Sequence, residues 1–138
     1  LNKIAQKNAD KVNIPIDFLI TTAEEIPLPD NSIDTVISTY TLCSIPNPSL
    51  SLKEILRVLK PEGKFLFCEH GIAPSKGVAM FQNAIDFFWP AIAGGCHLNR
   101  DMPSLLKSNE FNLEELDAMY LPGTQRFLGY NYWGVATT

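Results

Sequence analysis

Between Asp34 and Glu69 the chain carries a strand, a helix and a second strand in immediate succession, and this order restricts the fold more than any other feature. Asp34 to Thr39 (D-T-V-I-S-T) is short and β-branched, as a strand buried on both faces would be. Asn47-Pro48-Ser49 then supplies a proline and a capping residue, and Leu52, Ile55, Leu56 and Leu59 recur at helical spacing from Ser51 to Leu59. Pro61-Glu62-Gly63 is a tight turn, and Lys64 to Glu69 returns as a strand. Two strands joined by a helical crossover run parallel, which sets the class as α/β.

The flanks extend this pattern. Ile4, Ala5, Ala9 and Val12 predict a short amphipathic helix over Leu1 to Val12, stopped by Asn13 and Pro15. Ile16 to Ile20 reads as a brief strand, and Ile26 to Ser32, with its two prolines and the cluster Pro29-Asp30-Asn31-Ser32, as a loop. After a loop from Gly71 to Gly77, an aromatic helix is expected from Val78 to about Ile92, ended by Gly94-Gly95. A helix over Arg100 to Ser108 and strands over Asn112 to Tyr120 and Phe127 to Ala136 follow. The connection Leu121 to Arg126 is short enough to make the last two strands an antiparallel pair, so the sheet has a mixed edge. At 138 residues, with no internal repeat and no linker, the chain is expected to be a single domain.

Composition excludes several functions. A net charge of -4, with lysine and arginine scattered, lacks the clustered basic face that nucleic acid requires. Cys43, Cys68 and Cys96 are odd in number and lie in apolar surroundings without a CxxC pair, and two histidines do not complete a zinc site. They read as reduced, mostly buried thiols of an intracellular, cytoplasmic protein, and no metal is expected. There is no signal peptide and no apolar run long enough to span a bilayer, and the residues give no support for peripheral membrane contact.

The run from Thr22 to Glu69, with T-A-E-E-I-P-L-P-D-N-S-I-D-T-V-I-S-T, Leu42-Cys43-Ser44 and L-K-E-I-L-R-V-L-K-P-E-G-K-F-L-F-C-E, resembles the middle of a class I S-adenosylmethionine-dependent methyltransferase of the methyltransferase domain 11 type. Helix, Pro-x-Gly turn and strand arrive in that family's order and spacing. Thr39 to Ser44 and the segment G-C-x-L-N-R-D at Gly95 to Asp101 are similar to the subgroup of thiol methyltransferases that act on small lipophilic compounds. The resemblance implies a Rossmann-like sheet of order 3-2-1-4-5-7-6, of which this chain supplies strands 3, 4, 5, 6 and 7. The glycine-rich turn and the acidic residue that hold the cofactor belong upstream of Leu1. Without the first two strands, strand 4 keeps an exposed edge, open to self-association.

The same resemblance places S-adenosyl-L-methionine across the carboxyl ends of the strands. Thr22, Ala23 and Glu24 occupy the adenine position, where the Thr22 hydroxyl replaces the usual carboxylate or amide and accepts more weakly. Thr39 and Tyr40 occupy the position beside the methionine portion. Asp34 opens its strand away from the cofactor and has a structural role. At the acceptor end, Glu69 and His70 close a strand, and His70 is the candidate acid-base residue. Phe81, Phe88, Trp89 and His97 are candidates for an apolar acceptor pocket. Cys43 and Cys96 read as structural, because methyl transfer needs no enzyme nucleophile.

The expected function is methyl transfer to a small, apolar acceptor. The alternative is a non-catalytic remnant or interaction module that keeps the fold without binding the cofactor. A nicotinamide-dependent dehydrogenase is excluded by the lack of a G-x-G-x-x-G turn and of a Tyr-x-x-x-Lys pair.

Overall fold

The computed structural model describes residues 2–12 and 15–138. Its elements are α1 (Asn2–Ala9), β1 (Ile33–Thr39), α2 (Pro48–Val58), β2 (Leu59–His70), α3 (Lys76–Ile85), α4 (Trp89–Ile92), α5 (Met102–Ser108), β3 (Asn112–Tyr120) and β4 (Tyr130–Thr137). The strands form one four-stranded sheet of order β1-β2-β4-β3. β1 and β2 are parallel, as the helical crossover requires, whereas β4 is antiparallel to both of its neighbours. The mixed α/β sheet and the closing hairpin are therefore those expected, and the order matches the 4-5-7-6 half of the methyltransferase sheet.

Helix α2 starts earlier than its apolar stripe. Asn47 caps it by accepting from Leu50 N at 3.2 Å, and Pro48 fills a first-turn position that needs no donor. Its buried residues Leu52 and Ile55 meet Phe65 and Phe67 of β2, Met102 and Leu106 of α5, and Ala136 of β4 in one core. Helix α5 begins at Met102 rather than Arg100, because Asp101 is its cap and accepts from Ser104 N at 3.1 Å. The opposite face of the sheet has no helix on it among the described residues. Ile37, Leu66, Cys68, Trp133 and Val135 line a shallow cavity of about 310 Å³ there, and Ile37 is 69% exposed. The expectation that β1 is buried on both faces thus fails for this reason.

Other expectations are corrected as well. Ile16 to Ile20 forms no strand and pairs with no other among the described residues, and Ile20 lies in solvent, since branched residues make a strand only beside another strand. β1 is consequently an edge of the sheet. The single aromatic helix is broken at Asp86–Phe88, because Pro90 lacks a donor and restricts the residue before it. Pro61-Glu62-Gly63 does not separate helix from strand: it loops out of the β2 ladder between the pairs Ile33 with Leu59 and Thr35 with Lys64. β4 starts at Tyr130 rather than Phe127, as Leu128 N and Gly129 N close a turn on Gln125 O. Helix α1 ends at Ala9, and its Ile4 and Ala5 are exposed; Leu1 and Asn13 lie outside the described residues. No helix among the described residues is long and apolar enough to cross a membrane.

Candidate active site

The carboxyl ends of β1 and β2 are organised by one carboxylate. Glu69 has no accessible surface. It accepts the Ser38 hydroxyl at 2.7 Å, Thr41 N at 3.0 Å and Cys43 N at 3.1 Å. Two hydrogen bonds from the Thr41 and Cys43 amides hold the chain in a sharp turn after β1. Tyr40 takes a positive φ of 49° there, uncommon for a bulky side chain, and is held by its own N–H on Cys68 O at 3.0 Å. The Tyr40 ring is left exposed at the sheet edge beside the exposed Thr39. Glu69 was expected in the substrate pocket; with every bond turned inward, it instead shapes the turn that presents Thr39 and Tyr40.

His70 is also enclosed, at 4% exposure, with Nδ1 3.6 Å from Cys96 Sγ and Nε2 without a partner. Burial pushes its pKa below the ordinary histidine value, so it stays neutral. His97 differs in every respect. Its side chain is about one-third exposed, and its Nδ1 lies 2.9 Å from Asp86 Oδ2. A carboxylate can only accept, so Nδ1 carries a proton. Asp86 is fixed in turn by Leu98 N, which donates to Oδ1 at 2.7 Å. The pair is joined to the strand ends through the backbone: His97 N donates to Cys43 O at 2.8 Å, and Cys43 N donates to Glu69. Arg100 holds the same turn, its guanidinium donating to the Leu42 and Ile45 carbonyls.

The aromatic candidates divide. Phe81 and Trp89 both meet Phe127 edge to face, at 5.0 and 6.2 Å between ring centroids. Phe88 is half exposed, and the neighbouring Phe87 is 96% exposed. Thr22, Ala23 and Glu24 lie in a turn closed by Glu25 N on Thr22 O at 3.3 Å, with Thr22 exposed. Glu24 reaches the start of α2, accepting from Asn47 N at 3.4 Å. Sequence reasoning missed Asp86, Arg100 and Phe127. Asp86 had a signal, being the sole charged residue between Val78 and Ala93.

A parallel β-α-β unit closed by an antiparallel hairpin, with its polar residues gathered at the carboxyl ends of β1 and β2, is the architecture of a class I S-adenosylmethionine-dependent methyltransferase. In sequence the chain is similar to members of that family over part of its length. Residues 1–67 match the methyltransferase domain family. The thiol S-methyltransferase TMT1B of Rattus norvegicus is 34% identical over 102 residues, covering 72% of this chain and 42% of the relative. The human thiol S-methyltransferase TMT1A is 31% identical over 121 residues, covering 86% and 50%. The chain thus spans about half the length of these curated relatives. A SAM-dependent methyltransferase structure from Methanosarcina mazei superposes with a TM-score of 0.74 at 19% identity, covering 99% of this chain and 76% of that one. At that identity the likeness shows the fold alone.

Proposed function

We propose that this chain supplies the acceptor side of an S-adenosylmethionine-dependent methyltransferase that acts on a small apolar thiol, with His97 as the general base. The observation that carries the reading is the His97–Asp86 pair: an accessible imidazole whose tautomer is fixed by a buried-side carboxylate. A neutral thiol is a weak nucleophile, and its thiolate is a strong one. His97 Nε2 takes the thiol proton, Asp86 stabilises the resulting imidazolium, and the sulfur is left to attack in line. The apolar cluster of Phe81, Trp89 and Phe127 is the matching surface for a lipophilic acceptor.

S-adenosylmethionine, when bound, supplies the electrophilic methyl on its sulfonium. The residues present suit one side of it. Tyr40, strained at the strand end with its ring outward, and Thr39 would hold the methionine portion, and the Thr22 to Glu24 turn the adenine. A glycine-rich turn does not occur in this sequence. The reading is tested by incubating the protein with S-adenosylmethionine and matched thiol, hydroxyl and amine acceptors of similar apolar shape. Methylated thiol is expected by mass spectrometry; a methylated amine or alcohol with no thioether would overturn the choice of acceptor.

A second reading has an observation in its favour. The outer edge of β1 has no strand partner among the described residues and adjoins the uncovered Ile37 face. An interaction module, or self-association through this edge, follows from that surface. Sedimentation over a range of concentrations tests it, a monomer at all of them being the contrary result.

A further inference from the structure

We propose that Cys43 and Cys96 form a reversible disulfide, a modification site that ties the turn after β1 to the loop before α5. These two segments run against each other backbone to backbone. His97 N donates to Cys43 O at 2.8 Å. Gly95, at φ 90°, passes so near Ser44 that a Cβ there would sit 2.7 Å from the Ser44 carbonyl oxygen. Arg100 adds its bonds to the carbonyls of Leu42 and Ile45 on either side. The cysteines are therefore neighbours on touching backbones. A disulfide spans about 4.4–6.8 Å between Cα atoms, the range that such direct backbone contact brings about. Side-chain torsions, with the loops already clamped, are what must change.

The two sulfurs have unequal positions. Cys43 belongs to the core, whereas Cys96 is partly exposed and has His70 Nδ1 3.6 Å from its sulfur. A hydroperoxide meets Cys96 first. The Cys96 sulfur attacks the peroxide, a sulfur–oxygen bond forms as the oxygen–oxygen bond breaks, and an alcohol leaves with the thiol proton. Cys43 then attacks the sulfenic sulfur, and the hydroxyl departs with the Cys43 proton as water. Two thiols and one hydroperoxide give one disulfide, one alcohol and one water; the sulfurs lose the two electrons that the peroxide gains. Exchange with a small thiol reverses the bond. Cys68 takes no part, since its side chain faces the uncovered side of the sheet with Trp133.

The test is to expose the 138-residue chain to hydrogen peroxide, block the remaining thiols with N-ethylmaleimide and map the peptides by mass spectrometry. The expected result is a threefold fall in label, from all three cysteines to Cys68 alone, with a Cys43–Cys96 linked peptide that dithiothreitol dissolves. Cys68→Ser should leave that link unchanged, and Cys43→Ser should abolish it while Cys96 remains labelled or goes to sulfinic acid. Oxidation in concentrated urea serves as the unfolded reference and should give mixed pairings. A mixture containing Cys68 without urea, or sulfinic acid at Cys96 with no link, would overturn the proposal.

Discussion

Ser38 and Glu69 face each other across β1 and β2, the hydroxyl donating to a carboxylate that has no contact with solvent. The parallel register aligns Ser38 with Phe67 and Thr39 with Cys68, so Glu69 extends one step past the end of β1 and meets the amides of its turn. Glu69→Gln keeps the shape but sets an amide donor against one of these N–H groups. An unsatisfied buried donor costs about 1–3 kcal/mol. Urea unfolding should show a lower midpoint at unchanged slope, and an unchanged midpoint would contradict the role given to Glu69.

A second electrostatic centre holds the loop before β1. Arg57 bonds the carbonyls of Ile26 and Leu28 and pairs with Asp30 at 2.6 Å and Glu54 at 2.8 Å, while Glu54 also accepts from Ile26 N. The Arg57 hydrogen bond and then the Ile26 amide lower the Glu54 carboxyl from 4.5 to about 2. The folded value lies below the unfolded one, so this contribution is complete above pH 4.5 and is lost as pH falls toward 2. Acid titration of stability should decline through that window, and Glu54→Gln should flatten the decline.

His70 sets a further pH dependence. Burial lowers its pKa from 6.5, so the unfolded chain takes up a proton that the folded chain refuses. Stability attributable to His70 is intact above pH 6.5 and falls as the solution becomes more acidic than that. Proton NMR should find the His70 imidazole titrating below the ordinary value of 6.5. A titration at or above that value is the contrary outcome.

Asp86 positions His97 and is itself tied to Leu98 N. Asp86→Asn retains one acceptor oxygen but removes the charge that stabilises the imidazolium. Methyl transfer to a thiol should fall about 10-fold or more in kcat, with KM for the thiol little altered. A rise in KM alone would make Asp86 a packing residue of the acceptor pocket.

The sequence carried most of the sheet, because apolar periodicity reports burial and the β-α-β order fixes direction. Ile16 to Ile20 escaped it, since β-branched content cannot reveal whether a neighbouring strand exists. The break before Trp89 has its signal in Pro90, which the expectation of one aromatic helix from Val78 to Ile92 did not use. At the candidate site, short motifs single out Thr39, Tyr40 and His97 as candidates. Their supports were harder to see. Asp86 meets His97 only because the chain folds back between α3 and α5, and the inward bonds of Glu69 depend on the register between β1 and β2, which no residue pattern states.

The most direct measurement is the rate of methyl transfer from S-adenosylmethionine to a small apolar thiol, compared between the protein and its His97→Gln variant. A general base contributes about 10²–10⁴-fold, so the variant should lose that much in kcat. Equal rates, or no thioether from either protein, would contradict methyl transfer driven by His97.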